Sequence, residues 1–158
     1  MGELFCLDQQ VVFLDVEAEK SEEVITFLYE KLKDLNYVKE SFLQAILERE
    51  NVYPTGLPLA NMGVAIPHTD PEHIVSPMIS FAKLYKPVQF QMMGNPGETV
   101  DADIVFMLAI KEPEKQLVML ERLMGVFQNE ETMSRLQDAK SAEAVTNILN
   151  KELNRVSN

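Results

Sequence analysis

Apolar positions along the 158-residue chain follow two periods. Behind the acidic pair Glu22 and Glu23, which Ser21 precedes, Val24, Ile25, Leu28, Leu32 and Leu35 recur at helical spacing and predict an amphipathic helix. Residues 41–50 predict a second, shorter helix with Phe42, Ala45 and Ile46 on one face. From Glu114 onward Leu117, Leu120, Leu123, Met124 and Phe127 form one stripe, and Ser141 opens a last helix carrying Val145, Ile148, Leu149 and Leu153. Between these lie runs that read as strands: Val11 to Leu14, GVAIP at 63–67, SPMISFAKLYKPVQF at 76–90 and IVFMLAI at 104–110. The stretch GNPGETVDAD, 94–103, reads as a turn-rich connection, and NVYPTGLPLANM, 51–62, as a loop by its prolines and glycine. Helices at both ends around several strands predict a layered α/β domain, with no repeat or linker that would split residues 1–158.

Charge narrows the partners. A formal net charge of −11 repels nucleic acid and anionic lipid, whose phosphates need clustered Lys and Arg, and favours proteins with basic docking faces. The single cysteine, Cys6, excludes an internal disulfide and a four-thiolate metal site; in LFCLD it reads as a buried apolar position near the first strand. The sequence has no signal peptide and no long uncharged apolar stretch, so a soluble, cytoplasmic protein without membrane insertion is expected.

Candidate chemistry centres on GVAIPH, 63–68. Pro67 fixes its own φ, biases Ile66 toward extended backbone and ends the strand's hydrogen bonding, so His68 stands stiffly at a strand end. Neutral imidazole there is a nucleophile, a base or a metal ligand. A metal reading would need His68, Asp70 and His73 of HTDPEH, whose spacing matches neither a helical i, i+4 pair nor the common zinc loops, so no metal or other cofactor is expected. His73 reads as a solvated loop residue. No Walker-type phosphate loop and no G-x-S-x-G elbow is present.

LEREN at 47–51, PTGLPLANMGVAIPH at 54–68 and EPEKQLVMLERL at 112–123 together resemble the enzyme IIA domains of the bacterial sugar phosphotransferase system, in the fructose, mannitol and galactitol superfamily, and most closely the galactitol type. The resemblance covers most of the chain. It implies a mixed central β-sheet flanked by helices. It also implies that His68 takes a phosphoryl group from the phosphohistidine of HPr and passes it to a cysteine of a separate IIB component, during uptake of galactitol or a related polyol. A nitrogen-type regulatory role, as a sensor that binds target proteins, would use nearly the same residues. Arg49 corresponds to the family arginine near the active histidine, where a guanidinium donates a two-pronged hydrogen bond to phosphate; a surface pairing with Glu48 or Glu50 is the competing reading. Thr55 is a candidate hydroxyl donor to the same oxygens or a plain turn residue. The chain lacks the second histidine of mannitol and fructose relatives: aligning the later helix on QLVML places Gln116 there, and a one-residue shift places Lys115. Met62 stands where some mannitol-type members carry an acid. With Met92 and Met93 it is a candidate for an adaptable apolar docking rim.

Overall fold

The computed structural model describes residues 7–154; Cys6 lies outside them. Five strands, β1 (Val12–Val16), β2 (Gly56–Pro58), β3 (Gly63–Ala65), β4 (Met78–Met92) and β5 (Asn95–Ala109), form one mixed sheet in the order β1-β4-β2-β3-β5. Five helices flank it: α1 (Ser21–Asp34), α2 (Phe42–Val52), α3 (Pro113–Phe127), α4 (Glu130–Asp138) and α5 (Ala142–Leu153). This is the layered α/β arrangement with a mixed sheet that the sequence predicts.

The inner half of β5 explains the layering. Ile104, Phe106, Leu108 and Ile110 join Met119, Leu123, Val145 and Leu149 in a core on the side of α3, α4 and α5. Val105, Met107 and Ala109 join Val24, Ile25, Leu28, Phe42 and Ile46 on the side of α1 and α2. Strand side chains alternate between faces, so a run that is apolar at every position must be covered on both.

Local details depart from the sequence reading where backbone pairing decides. The 94–103 stretch is mostly strand: a long antiparallel ribbon runs from Met78↔Ala109 to Met92↔Asn95, and only Gly94, at φ +76°, marks the turn. Its glycines and prolines are tolerated because residues 95–99 project into solvent and need no side-chain core. Pro87 sits inside the register shift between Lys83 and Val88, where its missing N–H leaves no gap in the ladder. Within the predicted 51–62 loop, β2 pairs with β3 in a short hairpin closed by the Leu59 N–H donating to the Met62 carbonyl at 2.8 Å. Because β2 also pairs with β4 at Gly56↔Met92, and β3 with β5, the four strands β4, β2, β3 and β5 close on themselves.

The helices shift too. α1 begins at Ser21, and the Glu23 carboxylate, accepting from the backbone N–H groups of Glu19 and Lys20 at 2.7 and 3.2 Å, satisfies the exposed donors. On α3 the buried stripe is Met119, Leu123, Val126 and Phe127, while Leu117 is 60% exposed and Met124 38% exposed. Period alone left the helix's rotation open. A break at Gln128–Asn129, where Asn129 Oδ1 accepts from the Thr132 N–H at 3.0 Å, starts α4 as a separate helix that the sequence reading did not resolve.

Gly63 is fixed by close backbone approach: a Cβ there would lie 2.2 Å from the Asp101 carbonyl oxygen. Gly63→Ala is expected to lower unfolding free energy by about 2–3 kcal/mol, measured by urea denaturation with the unfolding slope unchanged.

Candidate active site

β3 delivers the histidine. Val64↔Ile104 and Ala65↔Val105 run parallel, and the pairing extends past Pro67, whose carbonyl accepts from the Leu108 N–H at 3.0 Å, to a bridge between His68 and Leu108. The rigid neighbour on this stretch is therefore β5, whose second half is almost wholly buried.

The half-buried ring is oriented by its own backbone: Nδ1 lies 2.7 Å from the Ile66 carbonyl oxygen. A carbonyl only accepts, so Nδ1 carries the hydrogen and Nε2 keeps the in-plane lone pair. Burial lowers the ring's pKa below the ordinary 6.5; the Ile66 bond opposes this, and the nearby Arg49 charge adds to it. The neutral, nucleophilic form is thus favoured at neutral pH.

Arg49, on the last turns of α2, pairs with neither Glu48 nor Glu50. Its Nη1 is 3.7 Å from Asp70 Oδ1, two residues beyond His68, and its guanidinium lies over the Tyr53 ring at 5.5 Å from the centroid. The pair is partly exposed, so it contributes little stability and leaves the guanidinium easily redirected.

Thr55 is 4% exposed. Its one O–H is given to Glu50 Oε1 at 2.8 Å, its N–H donates to Glu50 Oε2 at 2.8 Å, and its oxygen accepts from the Ile66 N–H at 3.1 Å. The hydroxyl hydrogen that the sequence reading offers to phosphate is thus already committed to a carboxylate. Glu50 is the residue that reading missed as a site member. Its signal is present in RENVYPT, an acid five residues ahead of Thr55, but the neighbouring Arg49 gave it a more obvious partner. Burial raises the Glu50 carboxyl to about 7 against the two Thr55 hydrogen bonds, which lower it.

Gln116 is half-buried in the first turn of α3, the helix that follows the end of β5 where Leu108 meets His68. Lys115 is exposed and paired with Glu112 at 3.4 Å. His73 is not a free loop residue: Nδ1 is 2.8 Å from Ser41 Oγ and Nε2 3.6 Å from Glu72 Oε1. Met92 lies on the segment of β4 that pairs with Gly56, and the Met93 N–H donates to the Gly56 carbonyl at 2.8 Å, so both flank β2, whereas Met62 turns toward α3 and α4 beside Phe127 and Met133. The three methionines therefore do not line one rim. Among the described residues no three His, Cys, Asp or Glu side chains gather as a metal site, and no helix is long and apolar enough to cross a membrane.

A mixed sheet that presents one oriented, neutral imidazole at a strand end defines a histidine site suited to nucleophilic group transfer. Residues 5–152 match the family model described as "Phosphoenolpyruvate-dependent sugar phosphotransferase system, EIIA 2". The chain belongs to this family of phosphotransferase components. It is 30% identical over 150 residues to the fructose-specific EIIABC component of Bacillus subtilis, covering 91% of this chain but only 22% of that longer protein. It is 29% identical to the mannitol-specific IIA component of Staphylococcus aureus (94% of this chain, 96% of that one) and 29% identical to the galactitol-specific EIIA component of Escherichia coli (72% and 75%). The crystal structure of IIA mannitol from Escherichia coli superposes with a TM-score of 0.75 at 27% identity, covering 92% of this chain and 99% of that one. The same protein is also solved in complex with phosphorylated enzyme IIB, similar here at a TM-score of 0.72 and 25% identity over 92% and 97% of the two chains.

Between pH 4.5 and about 7 the folded chain holds a proton on Glu50 that the unfolded chain releases, so this group erodes stability as pH rises through that window. Glu50→Gln is expected to gain about 2 kcal/mol relative to wild type between pH 5 and pH 8, read from urea melts at both. His68 acts in the opposite sense, its lowered pKa removing stability as pH falls below 6.5; this slope disappears in His68→Gln.

Proposed function

We propose that this chain, as one type-2 IIA domain, carries a phosphoryl group on His68 between the phosphohistidine of HPr and a cysteine of an IIB component. The observation that carries the proposal is the bond from Nδ1 to the Ile66 carbonyl, which leaves the Nε2 lone pair directed away from its own backbone. In the first step a bond forms from Nε2 to phosphorus as the donor's N–P bond breaks; in the second a cysteine thiolate displaces Nε2 and forms an S–P bond. Such transfer asks for in-line positioning and for stabilisation of the equatorial oxygens rather than for covalent assistance. Strand pairing supplies the positioning. Arg49 supplies the cation, leaving Asp70 for the incoming phosphate because a bidentate guanidinium–phosphate contact is stronger than an exposed 3.7 Å pair. Gln116 supplies an amide donor from α3, which makes a less cationic pocket than a second histidine would.

For the sugar, we propose galactitol or a related polyol, supported by the RE…PTG…AIPH arrangement and by the similarity to the Escherichia coli galactitol-specific component. A cytoplasmic site of action accords with both proposed partners, HPr and IIB.

Incubation with phosphorylated HPr is expected to add one acid-labile phosphate, seen by mass spectrometry, and none to His68→Ala; labelling of that variant would overturn the assignment. Arg49→Ala should still accept phosphate but about 10²-fold more slowly. Because burial lowers the imidazole's pKa, the loss of uptake rate on acidification should set in at a lower pH than for an ordinary histidine, which is half protonated at 6.5.

A further inference from the structure

We propose that Glu50 and Thr55 are positioning residues for His68, acting through Ile66. The proposal rests on His68 being the reacting group, as argued above, and adds a part of the molecule that lies behind it. Ile66 is held from both of its backbone groups. Its N–H donates to Thr55 Oγ1 at 3.1 Å, and its carbonyl accepts from His68 Nδ1 at 2.7 Å. Thr55 is held in turn by Glu50, through its own N–H and its hydroxyl, both at 2.8 Å. A single carboxyl on α2 therefore fixes the first residue ahead of β2, that residue fixes the end of β3, and the end of β3 fixes the ring.

The direction of the Thr55 hydroxyl matters. A hydroxyl has one hydrogen, and here the N–H of Ile66 points at its oxygen, so the hydrogen must go elsewhere; the Glu50 carboxyl accepts it. With the acceptor removed, the hydroxyl is free to rotate, the Ile66 N–H loses a fixed partner in a buried place, and the carbonyl two bonds further on is no longer held in line with Nδ1. Nδ1–H and Nε2–H tautomers then compete, and only the first leaves Nε2 ready to attack. Few charges bear on the carboxyl: Glu22 of α1 lines the same small cleft, together with Ser21, Asn51 and Gln91, and the Arg49 guanidinium is turned to Asp70. Among the described residues no cation pairs with it, which is consistent with burial raising its pKa to about 7.

The test combines ring NMR with phosphoryl uptake, on the whole chain. Long-range ¹H–¹⁵N spectra of wild type should show His68 predominantly as the Nδ1–H tautomer. Thr55→Val and Glu50→Ala should move it toward an even mixture and slow uptake from phosphorylated HPr by roughly tenfold or more, whereas Thr55→Ser should restore both. Unchanged ring shifts and rate in folded Thr55→Val and Glu50→Ala would overturn the inference. Should those two fail to fold, wild type and Glu50→Gln decide it. The Ile66 amide and His68 Nδ1 shifts of wild type should share an inflexion near pH 7 that Glu50→Gln removes, and its absence in wild type would equally overturn the proposal. The ring measurements need no phosphate, so a wild type that takes up none would refute the carrier reading while leaving this inference to be judged on the tautomer alone.

Discussion

The contact on which the site depends is the one from the Nδ1–H of His68 to the carbonyl of Ile66, closed within two residues of chain. It works only if the backbone between them is rigid. Pro67 removes one degree of freedom, and the parallel pairing of β3 with β5, continued to the Leu108–His68 bridge, removes most of the rest. Since β5 is buried on both faces here, its position is set by two cores at once. The stiffness of one imidazole is therefore a property of the whole sandwich.

Close backbone approach makes that arrangement possible. Gly63 starts β3 against the Asp101 carbonyl, and a Cβ at Gly56 would lie 2.6 Å from the Gln91 carbonyl oxygen. Both glycines sit where the small hairpin of β2 and β3 is wedged between the two long strands. The ring of four strands they complete places Thr55, just ahead of β2, beside Ile66, just past β3. Two motifs that look separate in the chain, PTG and AIPH, are one hydrogen-bonded unit.

The charged groups around the histidine are held only loosely. Arg49 rests against an exposed aspartate at long range, and burial raises the carboxyl of Glu50 behind the site to about 7. If His68 carries phosphate as proposed, it must accept and then release the group, and strong fixed pairs on either side of that step would oppose it. Gln116, half-buried in the first turn of α3, carries an amide and no charge.

The helices near both ends, the IVFMLAI strand and the histidine behind Pro67 are legible in the chain alone, because each rests on short-range period or on a residue that restricts its own backbone. The sequence did not determine the rotation of α3, where Leu117 lies outward and Met119 inward, because a wide apolar stripe fits the core at more than one angle. Nor did it show that GNPGETVDAD is strand, since the partner that pairs its backbone is β4. The choice of Asp70 for Arg49 and of Thr55 for Glu50 was likewise made by tertiary structure. Adjacent charges on one helix point in different directions, and which distant group each meets is fixed only when β2 and β3 are packed against that helix's end.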